Sequence, residues 1–200
     1  MLRYAITDGT TGDDSSENSA AALAARCSEL ARNGVDFILV REKHLAAGEL
    51  AAVSRAVIEA VRAAGTGTRV LIARRVDVAI AVGADGVHLS AQPGELTVGQ
   101  VRSLMPEAVV SVSCHTLDEV KRAREGGASA VLFGPVFGKT MDGVEVVAGV
   151  GLGRLREACA EAGAMPVFAL GGVTEVSAAA CVEAGAVGVA AIRMFFESGN

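Results

Sequence analysis

The sequence is poor in aromatic residues and proline: its 200 residues include no tryptophan, one tyrosine, six phenylalanines and four prolines. With so few large rings, the core must be built from Ala, Val, Leu and Ile. The chain also lacks an excess of positive charge, since 18 Lys and Arg are set against 23 Asp and Glu, for a formal charge of −5. Nucleic-acid binding requires a basic stripe, so we expect no nucleic-acid partner.

Long apolar runs and close cysteine pairs are missing as well. No apolar run reaches the length that crosses a bilayer, and the N-terminus lacks a signal-peptide pattern. We therefore expect a cytoplasmic protein without a membrane partner. The four cysteines, Cys27, Cys114, Cys159 and Cys181, are far apart and form no C-x-x-C. Small buried side chains in a reducing compartment explain them better than a zinc site does.

One short pattern occurs four times: a glycine, two further residues and a short apolar run. The copies begin at Gly34, Gly83, Gly127 and Gly185, each after a helical stretch. The glycine suits the left-handed turn that ends a helix. The apolar run suits a parallel strand that is buried on both faces. The repeated unit predicts an α/β fold.

Completing this pattern predicts eight strands and the helices between them. The strands are residues 2–7, 37–41, 70–73, 86–89, 109–113, 130–133, 166–170 and 188–192, and helical stretches include 19–33, 47–64, 117–125 and 176–184. Closing eight parallel strands leaves no sheet edge exposed, so we predict a single domain, residues 1–200, with the (β/α)₈ TIM-barrel fold. Only residues 193–200 follow the last strand. The eighth helix is therefore expected to be short or missing, and a homodimer is one way to cover that side.

The carboxyl ends of the strands form the active-site face of such a barrel. The residues expected there are rich in cations and glycine, which suits an anionic ligand. Gly171 and Gly172 follow the seventh strand, and Arg193 follows the eighth. Loops at these positions commonly bind phosphate through backbone N–H groups, so we predict a phosphate site there. The alternative is a plain turn that requires positive φ.

Three histidines differ in what their positions predict. Imidazole takes and returns a proton near neutral pH, and His115 lies in a polar cluster at the end of the fifth strand. His115 is therefore the candidate acid–base residue, although it could merely hydrogen-bond a loop. His88 lies within an apolar run and is expected to line the barrel interior, and His44 is expected at the surface or rim. Cys114 and His115 should point to opposite faces of the strand, which disfavours a Cys–His nucleophile.

Basic residues follow the second and sixth strands. Arg41 and Lys43 are two residues apart, so on an extended backbone they share a face and could bind a carboxylate or phosphate. The alternative is an ion pair with Glu42 or another acid of the rim. Lys139 lies in the Gly- and Val-rich stretch 138–149, which we expect to be a mobile lid. The alternative is a disordered loop.

Six motifs, in order along the chain, then resemble one known family. They are residues 40–43 (VREK), 75–77 (RVD), 83–89 (GADGVHL), 113–116 (SCHT), 133–137 (FGPVF) and 169–173 (ALGGV). With these motifs the chain, from Tyr4 to about Phe195, resembles the thiamine phosphate synthase / thiazole tautomerase family. The resemblance implies a (β/α)₈ barrel.

The resemblance is to a family with two chemistries, and this sequence departs from the motifs of the first. The synthase joins a hydroxymethylpyrimidine pyrophosphate to a thiazole phosphate and uses Mg²⁺. The positions of its two Mg²⁺-binding aspartates read Ala73-Arg74 and Ser90-Ala91-Gln92-Pro93 here. Because Mg²⁺ needs oxygen ligands, Arg74 puts a cation where the metal should be. Residues 139–142 also depart from the synthase's lysine-rich lid motif, and Arg193 replaces a serine of its eighth strand.

The second chemistry aromatises a thiazole carboxylate phosphate by moving a proton, and this branch of the family lacks the same aspartates. We therefore predict a thiazole tautomerase-like isomerase with a small phosphorylated thiazole as substrate and no cofactor. The family's catalytic histidine matches His115, to which we assign proton transfer. We further assign substrate contacts to Ser113, Arg41, Lys43 and Lys139, and phosphate binding to Gly171, Gly172 and Arg193. Two alternatives stay open. One is a divergent, Mg²⁺-dependent thiamine phosphate synthase, and the other is a non-catalytic binder of a phosphorylated metabolite.

Overall fold

The computed structural model describes residues 1–11, 19–90, 94–141 and 144–196, with only the backbone for 139–141 and 144–146. The first half contains β1 (Leu2–Ile6), α1 (Ala20–Arg32), β2 (Phe37–Val40), α2 (Ala47–Ala63), β3 (Arg69–Ala73), α3 (Val76–Val82), β4 (Gly86–Leu89) and α4 (Val98–Leu104). The second half contains β5 (Val109–Cys114), α5 (Leu117–Glu125), β6 (Ala130–Phe133), β7 (Lys139–Met141), β8 (Val144–Val147), α6 (Gly151–Ala162), β9 (Val167–Leu170), α7 (Glu175–Glu183), β10 (Gly188–Ala191) and α8 (Arg193–Phe196).

Eight of these strands form a closed parallel barrel in the order β1-β10-β9-β6-β5-β4-β3-β2. The barrel closes at β1, where Leu2 pairs with Gly188 of β10 and Tyr4 pairs with Phe37 of β2. The predicted (β/α)₈ barrel is therefore confirmed, and the predicted strands agree with the observed ones to within about two residues. The four repeated glycines have φ between +64° and +106°, as the predicted left-handed turns require.

Side chains along each strand point alternately into the barrel interior and into the layer between the sheet and the helices. On β5, Val109 packs inside the barrel, whereas Val110, Val112 and Cys114 pack between the sheet and the helices. Because side chains alternate along a strand, Ser111 faces inward with Val109. At the amino-terminal end of the barrel the interior is filled by the rings of Tyr4, Phe37 and Phe168, with centroids 5.4 to 5.7 Å apart.

The described part of the stretch 138–149 contains two short strands. Strands β7 and β8 form an antiparallel hairpin in which Lys139 pairs with Val147 and Met141 pairs with Val144. Three of the four residues of Val144–Val147 are valines, and β-branched side chains favour an extended backbone, a signal that the glycines of the stretch obscured. The alternative of a disordered loop is therefore wrong for the described strands, and the mobile lid stays a prediction.

Within the described residues the eighth helix of the barrel is short, as predicted. Helix α8 has four residues, and its Phe196 is buried. The Arg26 guanidinium lies 4.9 Å from the centre of the Phe196 ring, and that of Arg3 lies 5.2 Å from the centre of the Phe195 ring. These cation–π contacts tie the last residues of the described chain to α1 and β1.

The cysteines pack as predicted in three of four cases. All four are free thiols, and Cys27, Cys114 and Cys181 are buried, whereas Cys159 is partly exposed. Burial raises the pKa of Cys27 and of Cys114 to about 12, so neither is poised to act as a thiolate. None of the helices in the described parts of the chain is long and apolar enough to span a membrane.

Candidate active site

A cavity of about 940 Å³ opens at the carboxyl ends of the strands. Its lining brings together four residues predicted from the sequence: Arg41, Lys43, Ser113 and His115. Arg74 and His88 also line it. The cavity therefore occupies the face on which (β/α)₈ barrels carry their active sites.

Cations dominate one side of this cavity. The neighbouring charges of Arg41 and Arg74, together with partial burial, lower the pKa of Lys43 below its ordinary value. Within the described chain Arg41 and Lys43 have no ion-pair partner, whereas Arg75 at the same rim pairs with Asp77 at 2.5 Å. Such a cluster favours binding of an anion, because an anion relieves the mutual repulsion of the cations.

Glu42 follows Arg41 in the sequence but is bound to other groups, so it does not pair with Arg41. The Glu42 carboxylate is buried, accepts a hydrogen bond from the Thr7 hydroxyl and accepts another from the Thr11 N–H at 3.1 Å. The Thr7 oxygen in turn accepts the Arg41 N–H at 2.9 Å. Glu42 thus holds the loop after β1 and the backbone beneath Arg41, and the alternative of an Arg41–Glu42 ion pair is wrong.

Arg74 lies inside the cavity and is ion-paired with Glu95. Its backbone has φ +65°, a left-handed conformation that is uncommon for a residue with a side chain, and its N–H donates to the His88 carbonyl at 2.8 Å. Glu95 also accepts hydrogen bonds from the Ser90 N–H at 2.8 Å and the Ser90 hydroxyl at 2.6 Å. Sequence reasoning missed Glu95, because no motif marks it and it follows β4 by six residues.

His115 lines the cavity, and one of its ring nitrogens is held by the backbone after β6. Its Nδ1 lies 2.6 Å from the Gly134 carbonyl oxygen, which can only accept, so Nδ1 carries the proton. Neutral His115 therefore keeps a lone pair on Nε2. The backbone is fixed by the capping box of α5, where Glu119 accepts the N–H groups of His115 and Thr116 at 2.5 and 3.1 Å.

His88 lines the barrel interior, as predicted. Its Nδ1 lies 2.9 Å from the Ser111 hydroxyl and its Nε2 lies 2.8 Å from the Ser113 hydroxyl. Burial, assisted by the charge of Arg41, lowers the pKa of His88 to about 4, so this imidazole is neutral at pH 7. His44 lies at the rim, where its Nε2 contacts the Thr11 carbonyl.

The predicted phosphate residues line a second cavity of about 740 Å³ beside the first. Gly171, Gly172 and Arg193 are among its lining residues, and Leu170 lines both cavities. The two glycines have φ +92° and +64°, and a Cβ on Gly172 would lie 2.8 Å from the Phe137 carbonyl oxygen. Positive φ and close packing therefore also explain the glycines, so the phosphate site stays a prediction.

The backbone leaves donors exposed at this second cavity. The N–H groups of Gly171 and Gly172 donate to no residue that the structure describes. Lys139 lies in β7, directly after the lining residue Gly138, but its side chain is outside the described residues. The cavity is thus bordered by backbone donors and Arg193, which suits a small anion.

A closed barrel of eight parallel strands, with a cation-lined cavity and an imidazole at the carboxyl ends of the strands, defines a (β/α)₈-barrel protein whose candidate active site is rich in positive charge. The chain belongs to the thiamine monophosphate synthase family, which matches residues 4–195. It is 35% identical over 198 residues to the thiamine-phosphate synthase of Methanoculleus marisnigri, covering 98% of this chain and 88% of that one. It is 34% identical over 190 residues to the thiamine-phosphate synthase of a Roseiflexus species, covering 94% and 75%.

A solved structure agrees with this assignment. The thiamine phosphate pyrophosphorylase from Pyrococcus furiosus superposes with a TM-score of 0.79 at 26% identity, covering 98% of this chain and 88% of that one. The predicted family is thus confirmed, and the chain is an enzyme of a thiamine-biosynthesis family. Between the two chemistries, the names of these relatives support the synthase, our alternative, better than the tautomerase that we predicted first.

Proposed function

We propose that the protein catalyses metal-independent proton transfer on a small phosphorylated thiazole, as a thiazole tautomerase does. The observation that carries this proposal is the ion pair between Arg74 and Glu95. Arg74 stands where the family resemblance puts a Mg²⁺-binding aspartate, and in the cavity it is paired with Glu95, a carboxylate that could otherwise serve in place of that aspartate.

The residues present do not fit Mg²⁺. The ion prefers several oxygen ligands in near-octahedral geometry, usually carboxylates with phosphate. Glu95 is engaged by Arg74 and Ser90, and a guanidinium at this point repels a divalent cation. Residues 91–93, which read Ala-Gln-Pro and lie outside the described chain, add no carboxylate. In the described part no group of three or more His, Cys, Asp and Glu could hold a metal ion.

The cavity residues support proton transfer instead. A substrate phosphate would lie in the second cavity against Gly171, Gly172 and Arg193, and a substrate carboxylate in the first cavity against Arg41 and Lys43. His115 Nε2, which keeps its lone pair because Nδ1 donates to Gly134, would remove the proton and return it to another atom of the ring. The cations would stabilise the negative charge that develops between these two steps.

A specific observation favours a second candidate, the thiamine-phosphate synthase. Relatives that are 34–35% identical over nearly the whole chain carry that name. If this candidate is right, the enzyme must release pyrophosphate, and the leaving-group charge would have to be met by cations such as Arg41, Lys43 and Arg74. The cytoplasmic location and the homodimer expected from the sequence stay predictions.

One experiment separates the candidates. The purified protein is mixed with the tautomeric thiazole carboxylate phosphate, and aromatisation is followed by ultraviolet absorbance with EDTA present. In parallel, hydroxymethylpyrimidine pyrophosphate and thiazole phosphate are supplied with Mg²⁺, and pyrophosphate release is measured. We expect EDTA-resistant aromatisation and no pyrophosphate. Mg²⁺-dependent pyrophosphate release would establish the synthase, and thermal stabilisation by thiazole phosphate without either turnover would establish a non-catalytic binder.

A further inference from the structure

A line of hydrogen bonds crosses the barrel interior from its closed end to the cavity. The Tyr4 hydroxyl lies 3.0 Å from the Ser111 hydroxyl, which lies 2.9 Å from His88 Nδ1. His88 Nε2 then lies 2.8 Å from the Ser113 hydroxyl, which lines the cavity. Each link joins groups that can donate or accept, so the distances alone leave the direction of the protons open.

Burial decides the direction. Tyr4 and Ser111 are 1% and 0% exposed, and among the described residues the Tyr4 hydroxyl has only Ser111 as a partner. If the protons ran inward, the Tyr4 proton would have no acceptor, and a buried donor without a partner is costly. If they run outward, Tyr4 donates to Ser111, Ser111 donates to His88 Nδ1, and every interior proton has an acceptor.

The outward direction determines whether the Ser113 hydroxyl presents a proton to the cavity. His88 accepts at Nδ1 and must then carry its proton on Nε2, which donates to the Ser113 oxygen. With that oxygen serving as acceptor, the Ser113 proton is left for a ligand. Arg41 and Ser113 line the same cavity, and the positive charge of Arg41 contributes to the lowered pKa of His88. The surroundings of the Ser113 hydroxyl therefore favour an anion.

We propose that Ser111, whose oxygen accepts from Tyr4 and whose proton goes to His88 Nδ1, locks His88 in its neutral Nε2–H tautomer, and that Ser111 and His88 act as positioning residues that leave the Ser113 hydroxyl as a donor to an anionic oxygen of the ligand. The direction of the chain is independent of the proposed function. The identity of the oxygen, as part of the substrate carboxylate, rests on that function.

The first test is spectroscopic and uses the full chain without ligand. Two-bond ¹H–¹⁵N correlation spectra distinguish the two neutral imidazole tautomers and the imidazolium, with His88→Gln used to assign the signal. We expect the Nε2–H tautomer of His88 in the wild type and in Tyr4→Phe, since the Ser111 hydroxyl still has only Nδ1 to donate to. In Ser111→Ala we expect a mixture of tautomers. An Nδ1–H tautomer in the wild type, or an unchanged tautomer in Ser111→Ala, would overturn the chain.

The second test measures binding by calorimetry for two probes, the aromatic thiazole carboxylate phosphate and the thiazole phosphate that lacks the carboxylate. Ser113→Ala should weaken binding of the first about tenfold, as loss of a hydrogen bond to a charged group does, and leave the second unchanged. Equal effects on both probes would overturn the carboxylate assignment. Binding of neither probe to the wild type would overturn both that assignment and the proposed function, while the tautomer still decides the direction of the chain.

Discussion

Nδ1 of His115 donates to the carbonyl oxygen of Gly134 across 2.6 Å, so a residue at the end of β5 is oriented by the backbone that follows β6. This bond leaves Nε2 as the nitrogen with the lone pair, in a ring that lines the cavity. Arg41, Lys43 and Arg74 line the same cavity.

Replacing His115 by alanine should abolish most turnover while leaving ligand binding intact. Loss of a positioned acid–base group typically reduces turnover about 10²- to 10⁴-fold. The measurement is the aromatisation rate at saturating substrate, together with calorimetric binding of the thiazole phosphate. His44→Gln is the matched control, since His44 lies at the rim and contacts only a loop carbonyl among the described residues. A His115→Ala enzyme as fast as the wild type would show that the assigned role is wrong.

The neutral state of His88 should make stability depend on pH in a defined window. The folded protein keeps His88 neutral down to about pH 4, whereas an unperturbed histidine protonates near 6.5. Between these values the unfolded chain binds more protons, so the free energy of unfolding falls as the pH decreases from 6.5 to 4, by about 3 kcal/mol in all. Above pH 6.5 the full contribution is present.

Urea unfolding at half-unit intervals from pH 7.5 to 4 measures this dependence. His88→Gln should be less stable at pH 7 and should lose about that part of the pH dependence, whereas His44→Gln should keep it. If the His88→Gln curve runs parallel to the wild-type curve across this window, the buried imidazole is not the group responsible.

Arg74→Gly should destabilise the protein less than Arg74→Ala. Both variants lose the ion pair with Glu95, but only alanine retains the strain of φ +65°. We expect Arg74→Gly to be more stable than Arg74→Ala by about 1 kcal/mol, because a left-handed backbone costs roughly that much for a residue with a Cβ. Thermal or urea unfolding of the pair measures the difference, and an alanine variant at least as stable as the glycine variant would contradict the left-handed backbone.

Gly172→Ala should destabilise the protein more than an equally strained glycine elsewhere. Its added Cβ would lie 2.8 Å from the Phe137 carbonyl oxygen, at φ +64°. Gly65 is the matched control, with φ +69° and nothing within 4 Å of an added Cβ. We expect Gly65→Ala to cost about 1 kcal/mol and Gly172→Ala about 1 to 3 kcal/mol more, with weaker thiazole phosphate binding. Equal costs would show that the loop moves aside freely.

Several parts of this molecule could be predicted from local sequence. The repeated glycines mark helix ends, and the apolar runs after them mark strands, because both signals depend on a few adjacent residues. The same order of motifs led to Arg41, Lys43, Ser113 and His115, which the fold gathers in one cavity. The hairpin at 138–149 was missed, since its glycines and its β-branched residues predict opposite structures.

The sequence by itself thus determined the barrel, the face that carries the site and the residue types that line it. Only the tertiary structure decided which of those residues meet: Tyr4 bonds to Ser111 across 107 positions, and the partner of Arg74 is Glu95 instead of a residue of its own motif. The tertiary structure also buries Glu42, whose carboxylate binds Thr7 and Thr11. It distributes the predicted site residues over two adjacent cavities. The reason is geometric, because neighbouring parallel strands are separated by a whole helix in the chain, so side chains that touch leave no short-range pattern in the sequence.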